Sequence, residues 1–159
     1  MTQAVPIRTA IPDDAGEILR CLAEAFAHHR ASYTDGAWID TVLTPASLRQ
    51  RFDEMTILVA LDEAQRVIGT VAYKLEHAGE AHLRGMAVLP TAHGRGVAQA
   101  LLDRAEADLR RLGCRRITLD TTQPLQRAIH FYEKNGFRAT GEISEFFGMD
   151  LFAYSKDLG

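Results

Sequence analysis

The sequence predicts an α+β fold, a mixed and mostly antiparallel sheet of about six to seven strands flanked by about four helices. Three observations lead there. Short β-branched segments in the middle of the chain are joined by connections too brief for parallel crossovers, which need about a dozen residues. In the second half, helix-period segments alternate with strand-like ones. No linker, repeat or low-complexity tract divides the 159 residues. They are read as one domain, 1–159, large enough to bury a core without a disulfide or metal.

Each element follows in order. Val5 to Arg8 is a short strand candidate, ended by Pro12. Asp14 and Glu17 form a capping-box pattern, followed by Ala15, Ile18, Leu19, Leu22 and Phe26 on one helical face. His28 to Thr41 breaks that period and is read as an irregular connection. Thr44 and Pro45 suit the N-cap and first position of a helix carrying Leu48 and Phe52. Ile57 to Leu61, Val67 to Leu75 and Leu83 to Leu89 then read as an antiparallel meander. From Gly96, the residues Ala98, Leu101, Leu102, Ala105, Leu109 and Leu112 make an apolar helical stripe that ends at Gly113. Ile117 to Leu119 is a strand reached by a crossover long enough to run parallel to the one before. Pro124 opens another helix, Asn135-Gly136 closes it, and Phe137 onward and Met149 to Leu158 return to strand.

Composition excludes several function classes. The formal net charge is -3, which offers no broad attraction for nucleic acid or an anionic membrane. Arg110, Arg111, Arg115 and Arg116 cluster in sequence but read as a solvated helix end and turn. Cys21 and Cys114 read as reduced, half-buried residues. Pro6, Arg8, Pro12, Asp13 and Asp14 interrupt any early signal-like apolar run, and no apolar stretch is long enough to span a bilayer. A reducing cytosol is therefore the expected location. Only His28 and His29 are adjacent among the histidines, and no carboxylate or cysteine stands at ligand spacing, so no metal is expected.

The unusual backbone demand lies at His93-Gly94-Arg95-Gly96-Val97-Ala98, between a strand and the long helix. Glycines permit a tight turn, and the first helical turn offers unpaired N–H donors at a positive dipole end. Together these suit an anion such as a diphosphate. A plain glycine turn before a helix remains the alternative on this loop alone. The loop lacks the Gly-Lys-Ser/Thr of a P-loop and the third glycine of a dinucleotide fingerprint.

Arg84-Gly85-Met86-Ala87-Val88-Leu89-Pro90, followed by His93 to Ala98 and Leu101-Leu102, resembles motif A of the GNAT acyltransferases. Phe131-Tyr132-Glu133-Lys134-Asn135-Gly136-Phe137 resembles motif B of the same family, in the right order and distance, and the resemblance covers nearly the whole chain. It implies a GNAT fold with splayed central strands and acetyl-CoA as cofactor, with CoA as product. Backbone N–H groups of Gly94, Arg95, Gly96, Val97 and Ala98 would hold the pyrophosphate. Met86, Ala87 and Val88, on a bulged strand, would hold the acetyl carbonyl and pantetheine arm. His93, Thr121 and Ala128 complete the expected cofactor contacts. His93 stands where the family usually has Gln or Arg, and Leu125 where many members place Asn. Tyr132 matches the tyrosine that protonates the departing thiolate; packing the last helix with Phe131 is its alternative.

His82 stands near the start of the motif A strand, where several members carry a glutamate base. It reads equally as a proton acceptor or as an edge-strand residue facing solvent. Glu76 and Glu80 are weaker candidates. Neither cysteine has an activating neighbour, so a covalent route is not expected. The resemblance puts the acceptor among His28, His29, Tyr33, Asp35, Trp38 and Asp40, facing Glu145, Phe146 and Phe147, with His29, Tyr33, Trp38 and Phe146 as substrate contacts. Packing or solvation of variable loops is the alternative. The expected function is acetyl transfer to a primary amine of a small molecule or peptide by direct attack in a ternary complex, without nucleic acid or membrane partners. Homodimers are common among such domains. A non-catalytic acyl-CoA or ligand sensor is the rival reading.

Overall fold

The computed structural model describes residues 4–159. Seven strands form one sheet in the order β1-β2-β3-β4-β5-β7-β6. The strands are β1 (Ile7–Thr9), β2 (Thr56–Leu61), β3 (Val67–Leu75), β4 (Glu80–Val88), β5 (Arg116–Thr121), β6 (Arg138–Phe146) and β7 (Met149–Asp157). The helices are α1 (Ala15–Phe26), α2 (Asp35–Val42), α3 (Pro45–Glu54), α4 (Val97–Arg111) and α5 (Gln126–Lys134). The expected meander is β2-β3-β4, antiparallel throughout. β4 and β5 are the single parallel pair among the described residues, bridged by α4.

The core lies where β2, β3 and β4 meet α1 and α4. Five consecutive residues of β2, Ile57 to Leu61, are buried, which requires cover on both faces of the sheet. Gly69 marks the closest approach of α4: a Cβ there would lie 2.7 Å from Val97 Cγ1. β6, the outer edge, is exposed over almost its whole length.

Several local expectations are corrected. The connection His28 to Thr41 contains α2, started by Thr34, whose hydroxyl accepts the Ala37 N–H at 3.2 Å. α2 buries only Ala37 and leaves Ile39 54% exposed, so it has little apolar periodicity to detect. The capping box at Asp14 and Glu17 does not form. The Asp14 carboxylate takes the Arg8 guanidinium at 2.7 and 2.9 Å and the Ile11 N–H, while Glu17 takes Arg66 and the Val67 N–H. At the end of α4, Leu112 turns out to solvent, 56% exposed, and Val97 rather than Ala98 opens the buried stripe. α5 begins two residues after Pro124. Cys21 and Cys114 are free and buried. Thr44 does cap α3 as expected, its hydroxyl accepting the Ser47 N–H.

Candidate active site

The sheet opens at its centre. Parallel pairing of β4 with β5 runs from Glu80↔Arg116 to Leu83↔Leu119 and stops there. Across β3, Ala72 pairs with Arg84 but Thr70 with Ala87, so Gly85 and Met86 together oppose Val71. This bulge needs a left-handed residue, and Gly85 supplies it at φ +69°. A cleft of about 750 Å³ fills the gap. Met86, Ala87 and Val88 line it from β4, beyond the last paired residue.

The glycine-rich loop closes one end. Gly94 and Gly96 have φ +80° and +74°, and a Cβ on either would meet nothing within 4 Å. Gly96 is the N-cap of α4, without a side-chain cap, and the first helical bond runs from Ala100 N–H to Gly96 at 3.0 Å. The earlier N–H groups therefore face open space, where an anion is stabilised by them and by the helix dipole. Gly94, Gly96, Val97 and Ala98 line the cleft; Arg95, at the exposed apex between the two glycines, does not. His93 accepts a hydrogen bond at Nδ1 from Arg127 Nη1, 2.9 Å away. Its proton is then on Nε2, which donates to the Val88 carbonyl at 3.3 Å.

Along the far wall, Thr121, Ala128 and Tyr132 line the cleft. The Thr121 hydroxyl is buried and is the one such side-chain atom among the described residues without a hydrogen-bond partner. Leu125 lines the same wall. Tyr132 is 7% exposed and stands edge-on to Phe131 and Phe137, each ring centre 5.5 Å away. Burial pushes its phenol well above the usual value, so it holds its proton.

His82 also lines the cleft. Its Nδ1 lies 2.8 Å from the Thr118 hydroxyl and its Nε2 3.5 Å from the Asp120 carboxylate. Burial lowers its pKa, and the attraction of Asp120 and Glu76 offsets only part of that. At neutral pH the ring is neutral. Of the expected acceptor contacts, His29, Tyr33 and Phe146 reach the cleft. Tyr33 is buried, its hydroxyl 2.7 Å from Thr122 Oγ1. Trp38 does not reach it; it packs edge-on against Tyr33 and under Arg30. Cys21 is not among the lining residues, and burial pushes its thiol up to about 12.

Lining residues that the sequence reading did not single out as site residues include Asp120, Arg127, Arg84 and Arg51. Asp120 adjoins Thr121 at the end of β5, a position a strand assignment alone could have flagged. Arg51 follows the buried Leu48 by three residues, so it is an arginine on the buried face of α3. That was the available signal. Arg84 is paired to Asp40. Among the described residues no group of three or more His, Cys, Asp or Glu side chains could hold a metal ion.

The sequence model of the acetyltransferase (GNAT) family matches residues 18–137. Mycothiol acetyltransferase of Propionibacterium freudenreichii subsp. shermanii is 32% identical over 130 residues, 79% of this chain and 40% of its own length. The chain thus spans about two-fifths of that curated relative. Among solved structures, an acetyltransferase of the GNAT family from Staphylococcus aureus Mu50 superposes with a TM-score of 0.80 at 17% identity, covering 98% of this chain and all of the other. The PaiA N-acetyltransferase from Thermoplasma acidophilum, in complex with coenzyme A, gives 0.79 at 19% identity, over 98% and 99% of the two chains. Family model, relatives and the opened sheet agree, and the chain belongs to the acetyltransferase (GNAT) family.

Proposed function

We propose that the chain is an acetyl-CoA-dependent N-acetyltransferase that acts on an amine of a small molecule or peptide, by direct attack in a ternary complex. The observation that carries this reading is the opening between β4 and β5, closed at one end by bare helix N–H groups and walled by the protonated Tyr132. The relatives named as acetyltransferases support it.

The residues present fit the cofactor. Gly94 and Gly96 leave a cradle free of side chains, and Thr121 offers an unpartnered hydroxyl to a polar chain passing beside it. Met86, Ala87 and Val88 lie beyond the last pair of β4 with β5, so on that side their backbone is outside the parallel ladder. Arg127, aimed by His93, adds a cation near the loop where the family usually has a side chain of its own at position 93. When bound, acetyl-CoA supplies a thioester carbonyl open to amine attack and a thiolate leaving group. A backbone N–H beside that carbonyl stabilises charge on its oxygen. Tyr132 holds the proton that the leaving thiolate takes up.

The amine must lose a proton. Thr118 equips His82 to accept it, because its hydroxyl has two places to donate. Directed at Nδ1, it leaves Nε2–H toward Asp120; directed at the Ala81 carbonyl, 3.4 Å away, it accepts from Nδ1–H and frees the Nε2 lone pair. Asp120 then steadies the imidazolium that forms. The free, buried cysteines suit a reducing cytosol.

Calorimetric titration with acetyl-CoA, followed by thiol release over a panel of amines, tests the proposal. Micromolar binding with release on one amine class supports it. Binding with no release on any amine favours a sensor, and no binding refutes both.

A further inference from the structure

The cleft wall also holds a buried cation without a partner among the described residues. Arg51 is 8% exposed and lines the cleft, yet among the described residues its guanidinium makes no hydrogen bond and no ion pair. It lies directly over the β4 bulge: a Cβ on Gly85 would stand 2.6 Å from Arg51 Nη1. Burial, reinforced by Arg84, lowers its pKa to about 10, and Asp40 is the one attractive charge acting on it. That carboxylate is already engaged by Arg84. A desolvated, unpaired guanidinium is costly, and structures keep one where an anion completes it. Arg84, Asp40 and Arg51 together leave one uncompensated positive charge.

The neighbouring wall has the opposite sign. Asp120 makes only the 3.5 Å approach to the neutral His82. Arg84, two residues after His82 on β4, is paired to Asp40, and Arg51, Arg84, His82 and Asp120 all line the same cleft. An anionic group and a cationic group therefore face the same volume.

We propose that Arg51 binds a carboxylate of the acceptor, which is an amino acid or similar carboxylate-bearing amine held with its nitrogen toward His82 and Asp120. This rests on the acetyltransferase reading of the cleft. A guanidinium fork in the cleft wall can match a carboxylate with two parallel hydrogen bonds.

The test is calorimetric binding of common L-amino acids, their carboxamides and their decarboxylated amines, to the protein alone and saturated with CoA. The expected result is a preference of about tenfold or more for at least one free carboxylate over both counterparts, as charge-assisted pairs allow. Arg51→Met should abolish that preference while leaving CoA affinity unchanged, and Arg51→Lys should restore part of it. Without ligand, Arg51→Met should raise the melting temperature, because a desolvated unpaired charge is replaced by an apolar chain of similar length. A purely structural Arg51 predicts the reverse. Equal binding of all three ligand classes, binding of none, or a preference that survives Arg51→Met overturns the assignment. Acetyl-CoA titration of the same preparation reports separately on the acetyltransferase reading: cofactor binding without carboxylate preference refutes only the role of Arg51.

Discussion

Tyr132 keeps its proton because its ring is packed between Phe131 and Phe137 and burial disfavours the phenolate. Removing that hydroxyl should remove proton donation and little else. Tyr132→Phe is expected to lower kcat by about 10²-fold or more, with the KM for acetyl-CoA nearly unchanged, in steady-state assays. His82 makes a signed prediction about pH. Its folded pKa lies below the ordinary 6.5, so on acidification the unfolded chain takes up the proton first. Stability linked to His82 is thus present above pH 6.5 and declines below it. The acid limb of kcat/KM should likewise fall below 6.5, and His82→Ala should remove that limb; a limb unchanged in the variant excludes His82 as the proton acceptor. At this scale the sequence displayed the residues whose chemistry is local. Gly94 and Gly96 are legible because only glycine adopts their backbone cheaply, and Tyr132 because it sits in a motif. Arg51 showed only as an arginine in register with Leu48, and the room it occupies depends on Gly85, far along the chain, having no side chain.

Elements were legible where a cap or a period marks them. Thr44 and Pro45 announce α3, and Thr44→Ala should destabilise the protein by about 1 kcal/mol in denaturant unfolding. Asp14 and Glu17 announce a cap that never forms, because each carboxylate finds an arginine contributed by a strand or strand-joining turn. Local pattern lost to tertiary pairing there. α2 escaped detection for a different reason: it lies over the site with only Ala37 buried, so burial imprints no stripe. The loop before α4 allows a two-part prediction. Gly96→Ala forces a left-handed alanine at a cost of about 1–2 kcal/mol, with no steric clash to add to it. The same methyl stands in the open cradle, so acetyl-CoA affinity should fall in calorimetry as well.

For the molecule as a whole, the meander and the single crossover could be read from connection lengths, whereas the insertion of β7 between β5 and β6 could not. A hairpin can add to a sheet by either strand, and the choice is made by long-range pairing of Arg116–Thr121 with Phe152–Asp157. The resulting sheet consists of β1 to β4 on one side and β5, β7 and β6 on the other. Within the sheet four residue pairs join the two sides, and the Lys156–Glu106 ion pair adds a tie from β7 to α4. A ligand bound across the opening stabilises the folded state by mass action, about 2.7 kcal/mol at a hundredfold excess over its Kd. Acetyl-CoA should therefore raise the melting temperature and slow amide exchange most in β5, β7 and α5.

That narrow seam would make the folded state sensitive to whatever ligand spans the cleft. If the cofactor bridges the two leaves of the sheet, its binding would make their separation rarer and its loss would expose more chain to proteases. The cellular abundance of the protein would then follow the supply of its own acyl donor, with no dedicated regulator.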